Sequence, residues 1–289
     1  MPQAKHHQSH RTTKLLHLGV PGSGKTGALA CLAKAGYRLI IADFDNGLDI
    51  LVNLLRGDDA ALDNIYYETF TDELKMMKGA KGSKIVPKGV ANAFTDALNG
   101  LTQWKFPVEP GSSETYNLGN IGDWDQDTIF VLDSLGLAGE AALRLQRQVN
   151  MRQLDERIDR EDYFQGMNLV EAMLQLLHCD AVNCHVIVNT HITFIEDIMK
   201  GTLQGLPRAL GSKLPPKVGG YFNTIIGSQT EGIGKGAKHV IHTATEARLE
   251  LKLPIKPGIL PAMLPVETGL LTLFKALQSS DWKEEKVGE

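Results

Sequence analysis

Gly19-Val20-Pro21-Gly22-Ser23-Gly24-Lys25-Thr26 is the stretch on which the reading of this chain turns. It fits the pattern G-x-x-x-x-G-K-[ST], in which glycines let backbone N–H groups wrap phosphate oxygens at the start of a helix. The flanks agree with it. The apolar run Leu15-Leu16-His17-Leu18 precedes the motif as a strand, and Ala28, Leu29, Cys31, Leu32 and Ala35 follow as an apolar helical stripe that Gly36 stops. In this arrangement Lys25 holds the β- and γ-phosphates of a nucleotide, Thr26 ligates magnesium, and Gly19, Pro21, Gly22, Ser23, Gly24 and Gly27 complete the cradle.

Outward from the motif, Arg38-Leu39-Ile40-Ile41-Ala42 reads as a strand buried on both faces, which makes a βαβ unit ending in the acidic turn Asp43-Phe44-Asp45-Asn46-Gly47. A second apolar run, Thr128 to Leu132, ends in Asp133-Ser134, and Asp133 supplies the carboxylate that a magnesium-nucleotide site needs on a neighbouring strand. A third, His185 to Thr190, ends at His191. The stretch 140–178 reads as helical, with an amphipathic second half, and 71–127 as an elaborated connection containing a helix near 91–101. Strand-like runs follow at 222–227, 239–243 and 248–253, then a short helix around Leu270 to Leu277. The Gly/Pro-rich stretch from about 194 to 221 reads as a long functional loop.

Composition sets the limits. The chain has 289 residues, 43% hydrophobic and 22% charged, with a net charge of −4. These are globular values, and no apolar run approaches the roughly 18 residues of a membrane span. The opening MPQAKHHQSHRT is expected to be a disordered tail (residues 1–13) and not a secretory signal. Three cysteines, Cys31, Cys179 and Cys184, do not make a disulfide framework, so a cytoplasmic location is expected. The group His178-Cys179 and Cys184-His185 matches no zinc spacing.

Three elements beyond the phosphate motif resemble the RecA-type recombinase core, in the same order. Asp43 to Asp49 resembles the D-A-E-H-A-L-D segment of bacterial RecA, with Asp45 at the position of the glutamate that polarises the attacking water. Val131-Leu132-Asp133-Ser134 resembles its V-V-D-S strand. Thr190-His191 falls where that family carries a polar γ-phosphate sensor linked to a DNA-binding loop. The spacing, with Trp124 ahead of the second acidic strand, is similar to small bacteriophage RecA-like ATPases of single-strand annealing and recombination, across about residues 14–256. The long N-terminal helical region and the C-terminal domain of bacterial RecA are not matched. The resemblance implies an α/β fold, a RecA-like P-loop NTPase core whose twisted sheet is mostly parallel, flanked by helices, with late strands antiparallel, and a C-terminal extension at 257–289. It implies ATP and Mg2+ as cofactors, hydrolysis of ATP, and a homo-oligomer, ring or filament, with ATP between subunits. Arg248 and Lys252 are the candidates for a cation acting in trans.

Single-stranded DNA is the implied partner, with a single-strand DNA-binding protein as a further one. Lys200, Arg208, Lys213 and Lys217, in a mobile loop spanning 192–223, are the candidate contacts, with Tyr221 or Phe222 to stack bases. The lysines at 75, 78, 81, 84 and 88 read first as a solvated face. Two other functions fit the same nucleotide motif. One is a small-molecule kinase in which Asp43 or Asp45 activates an acceptor hydroxyl; the other is a regulatory ATPase acting on protein partners.

Overall fold

The computed structural model describes residues 12–279 apart from 80–81, 110, 153–155, 198–201, 233 and 246–247. The elements follow in chain order: β1 (Lys14–Gly19), α1 (Ala30–Lys34, preceded by a 3-10 turn), β2 (Arg38–Asp43), α2 (Asp49–Leu54), α3 (Asp59–Leu62) and β3 (Ile65–Thr69). Then come β4 (Leu74–Gly79), β5 (Gly82–Pro87), α4 (Ala93–Thr102), β6 (Lys105–Pro107), β7 (Thr115–Asn117), β8 (Thr128–Asp133), α5 (Leu135–Val149) and α6 (Arg160–His178). The last third carries β9 (His185–Thr190), β10 (Ile192–Asp197), β11 (Thr202–Pro207), α7 (Pro215–Val218), β12 (Thr224–Glu231), β13 (Lys238–His242), β14 (Met263–Pro265) and α8 (Val266–Gln278).

The three apolar runs form the middle of one eight-stranded sheet in the order β14-β13-β12-β1-β9-β8-β2-β3. Pairing is parallel from β12 to β3, and β13 and β14 are antiparallel. This is the expected architecture, a mostly parallel sheet with antiparallel late strands. Strands β1, β8 and β9 are buried along their whole length, because helices cover both faces. On one face Leu16, Leu18, Phe130 and Val188 pack against α4, α5 and α6; on the other Leu15, Ile41, Val131 and Ile187 meet α1 and α8. Each such side chain contributes about 1.5–3 kcal/mol by leaving water.

Three expectations change. The stretch expected as a long loop after His191 contains an antiparallel hairpin, β10–β11, paired from Ile192↔Pro207 to Asp197↔Thr202, and the short α7. The expected strand at 248–253 is reduced to one bridge, Lys252 with Ile225, because β12 is already paired with β13 beyond Gly227 and only its first residues have an open edge. Leu249 and Leu251 drop over that edge, closing on Gly227. The helical stretch expected from 140 to 178 divides into α5 and α6, and α6 starts at a capping box of Asp159 and Asp162. The expected tail falls almost wholly outside the described residues. None of the described helices is long and apolar enough to cross a membrane.

Candidate nucleotide site

The phosphate motif joins the end of β1 to a helical turn that begins at Gly24, where Ala28 N donates to Gly24 O at 2.8 Å. Two of its glycines are required by space. A Cβ on Gly19 would lie 2.3 Å from Ser23 Oγ and 2.7 Å from Ser228 O, and one on Gly24, at φ +88°, would lie 3.2 Å from the His239 ring. Lys25 is buried, and its Nζ donates to Gly19 O at 3.0 Å and Val20 O at 3.1 Å. Burial lowers the Lys25 pKa, against the opposing pull of Asp133 and Asp45.

Thr26 Oγ1 donates to Asp133 Oδ2 at 2.7 Å across 107 residues of sequence. A hydroxyl and a carboxylate oxygen this close, beside the phosphate cradle, are the hard oxygen donors that Mg2+ prefers, so the residues present fit a magnesium ion. Asp133 is 4% exposed, and its carboxyl is pushed up by that burial, with the bond from Thr26 pulling the other way. Asp45 sits in the turn after β2, its Oδ1 accepting from Ser134 N at 3.1 Å and Ser134 Oγ at 2.7 Å, which leaves its second oxygen for a water. His191, half-buried at the end of β9, has its pKa lowered by burial and by the Lys25 ammonium, so it is neutral at pH 7.

These groups line one cavity of about 670 Å³. It is lined by Pro21 to Gly27, by Asp45, Asp133 and His191, by His239, Val266 and Glu267, and by Ile50 and Leu54 of α2. The structure therefore brings together the predicted cradle from Pro21 to Gly27, Asp133, Asp45 and His191, while Gly19, at the end of β1, does not line the cavity. Arg248 and Lys252 do not line the cavity of their own chain; Lys252 Nζ donates to Phe222 O at 2.9 Å and Arg248 is exposed. Asp43 does not line it either. Its Oδ1 accepts from Asp45 N at 3.1 Å and Gly47 N at 3.4 Å, which shapes the turn that presents Asp45.

Sequence reading missed a polar row beneath the cradle. In register, Asp43 stands opposite Asp133, Asp133 opposite Asn189, and Asn189 opposite His17, all on the sheet face that carries α1. His17 is fully buried, with Nε2 at 2.5 Å from Ser228 Oγ, and burial together with Lys25 pushes its pKa down to about 3. It is a neutral spacer under the lysine. The signal was present as a polar residue inside each apolar run, LLHLG and HVIVNT, but only pairing shows that these positions align.

Burial raises the Asp43 pKa to about 6. A folded pKa above the unfolded value means that the unfolded chain releases its proton first, so stability contributed below about pH 4 is lost as pH rises through about 6. Asp43→Asn is expected to raise stability by about 1–3 kcal/mol at pH 8 and to change little at pH 4, read by thermal unfolding at both. Equal shifts at the two pH values would contradict this.

No family model matches the chain, and no curated protein matches it. Among solved structures it is similar to the flagellar accessory protein FlaH from Methanocaldococcus jannaschii, at 9% identity and a TM-score of 0.40, over 87% of this chain and 83% of that one. It is similar to a prototypical ATPase from the type III secretion system of pathogenic bacteria, at 10% identity and a TM-score of 0.39, over 75% of this chain and 52% of that one. It is similar, too, to a KaiC-like protein from the hyperthermophilic archaeon Pyrococcus horikoshii, at 13% identity and a TM-score of 0.36, over 84% and 82% of the two chains.

Proposed function

We propose that the chain hydrolyses ATP at this cavity and uses the nucleotide state to control binding of single-stranded DNA. The observation that carries the first half is the Thr26–Asp133 contact of 2.7 Å beside the buried Lys25. Water attacks the γ-phosphorus in line, a new P–O bond forms as the bond to the β-phosphate oxygen breaks, and ADP leaves. Asp45, fixed by Ser134, orients that water and takes its proton. Lys25 balances charge on the transferring phosphoryl group, and neutral His191 donates a hydrogen bond to it. Thr26 and Asp133 would hold magnesium, which would supply positive charge against the charge that develops on the phosphates.

Support for the DNA half comes from the connection beyond His191. Arg208 N donates to His191 O at 2.7 Å, and Thr190 Oγ1 donates to Arg208 O at 2.7 Å, so β9 and Arg208 move together. The Arg208 side chain pairs with Glu140 at 2.7 Å and, with Arg144, Arg147 and Tyr163, lines a second cavity of about 410 Å³. Arg144 is paired with Asp72 at 2.8 Å and Arg147 donates to Glu156 O at 2.9 Å, so Arg208, whose pair with Glu140 is half-exposed, is the guanidinium here that exchanges most readily onto a phosphate, beside the Tyr163 ring. Of the other candidate contacts, Lys217 is paired with Glu171 at 3.1 Å, Lys213 is exposed away from this cavity, and Lys200 lies outside the described residues.

The test is ATP turnover with and without single-stranded DNA, beside an anisotropy titration of a labelled oligonucleotide at two salt concentrations. Arg208→Ala is expected to weaken binding about 5–10-fold and to reduce the salt slope by about 1. Unchanged affinity and slope would remove Arg208 from the interface; turnover indifferent to DNA would remove the coupling.

A further inference from the structure

The buried polar row beneath the phosphate cradle enters the chemistry above only through Asp133. Asn189 stands in register between Asp133 on β8 and His17 on β1, so the three side chains share one face of the sheet. Asn189 and His17 are both 0% exposed. The Asn189 amide lies near enough to the Asp133 carboxyl to favour its ionised form, yet neither amide atom closes a hydrogen bond with any described residue. His17 Nδ1 closes none either, while its Nε2 lies 2.5 Å from Ser228 Oγ.

An apolar residue would fill the position of Asn189 at less cost. Ile187, two residues earlier on the same strand and face, packs in the core with no polar side-chain atom to satisfy. Burying an amide with both atoms unbonded forfeits the hydrogen bonds it made to water, so an amide here calls for a role that hydrocarbon cannot fill. The order of donors and acceptors supplies one. A neutral imidazole has one donor and one acceptor nitrogen. With Ser228 Oγ donating to His17 Nε2, His17 Nδ1 is the donor for Asn189 Oδ1, and Asn189 Nδ2 is left to donate to Asp133. Adjacent strands lie about 4.8 Å apart, a spacing that side-chain rotation can bridge at both steps.

We propose that Asn189 is a positioning residue for Asp133, and that Ser228, His17 and Asn189 close as one hydrogen-bonded row that holds the Asp133 carboxylate in the orientation in which it accepts a divalent cation. This role rests on the magnesium-nucleotide reading of the cavity. Thr26 Oγ1 donates to Asp133 Oδ2 from the cradle. Asn189 gives the carboxylate a second donor from the neighbouring strand, and two donors resist its rotation where one does not. Residues that hold a metal ligand in place change metal affinity by about 10–100-fold when they are replaced. Ser228 lies on β12, three strands from β8, and does not line the cavity, so its effect on the metal must travel through the row.

The test is direct binding of Mn2+, which takes the same oxygen ligands, to the full chain in the presence of ADP. The paramagnetic signal of the free ion measures it, corrected for Mn2+ bound by ADP alone, and thermal unfolding without nucleotide is followed beside it. Asn189→Leu is expected to melt at or above the wild-type temperature, since it removes two unbonded polar atoms, and to bind Mn2+ about tenfold or more weakly. Ser228→Ala, which leaves every residue of the cavity in place, is expected to weaken Mn2+ binding about threefold. A packing residue would lose stability and affinity together. Asn189→Leu with wild-type Mn2+ affinity, or with melting temperature and affinity falling together, would overturn the proposal. So would unchanged affinity in Ser228→Ala, which would break the row at His17. A wild type that binds neither ADP nor Mn2+ would remove the nucleotide reading itself, and the proposal with it.

Discussion

Lys25→Ala is expected to lower ATP turnover about 10²–10³-fold, the usual loss when one preorganised donor to a developing charge is removed. The ammonium is held by Gly19 O and Val20 O, two carbonyls of the cradle itself, at the end of a stem packed against the Gly19 position. It is thus aimed before any substrate arrives, and little reorganisation is needed during the reaction. Lys25→Arg is expected to fare about as badly, since a planar guanidinium cannot fit where Ser23 Oγ and Ser228 O already crowd Gly19. Phosphate release at saturating ATP measures the loss. Turnover within about threefold of wild type in either variant would contradict the assigned role.

Asp133→Asn separates chemistry from stability. The amide keeps an oxygen that can accept from Thr26 Oγ1, so the fold around the 2.7 Å contact survives, but the negative charge that would hold magnesium is gone. Turnover is expected to fall about 100-fold or more, with part of the loss appearing as a weaker affinity for Mg2+, so that a metal titration reaches half-maximal turnover only at higher concentration. Stability moves the other way. The Asp133 pKa is raised by burial, so the ionised carboxylate is a cost to folding that grows as pH rises through its folded pKa, and the neutral amide removes that cost. A variant that melts higher at pH 8 and turns over poorly is the expected outcome, a trade of stability for function. A variant that melts lower and keeps its metal dependence would show that Asp133 is only a packing residue.

The parts of this site legible in the sequence are those set by local pattern. Leu15 to Leu18 followed by the glycine motif announces strand, loop and helix, and Asp133 and His191 each end an apolar run whose burial makes it a central strand. Contacts between distant positions were not legible. Ser134 clamps Asp45 across 89 residues, and His239 and Val266 return over Gly24 from the antiparallel end of the sheet. No period or spacing encodes such meetings. Two of the hairpins were hidden for another reason: β4 mixes lysines with methionines, and β10–β11 lies among glycines and prolines, so each resembles solvated loop until its backbone pairing is known. The shared face of Asp43, Asp133, Asn189 and His17 belongs to the same class, since register between parallel strands is a tertiary property.

The most direct test of the nucleotide site is phosphate release by the wild-type chain supplied with ATP alone, with Mg2+ present and then removed by a chelator. Steady release of phosphate that stops with the chelator, and that is absent from Lys25→Ala, is the result predicted here; no release and no nucleotide bound in the presence of Mg2+ would contradict it.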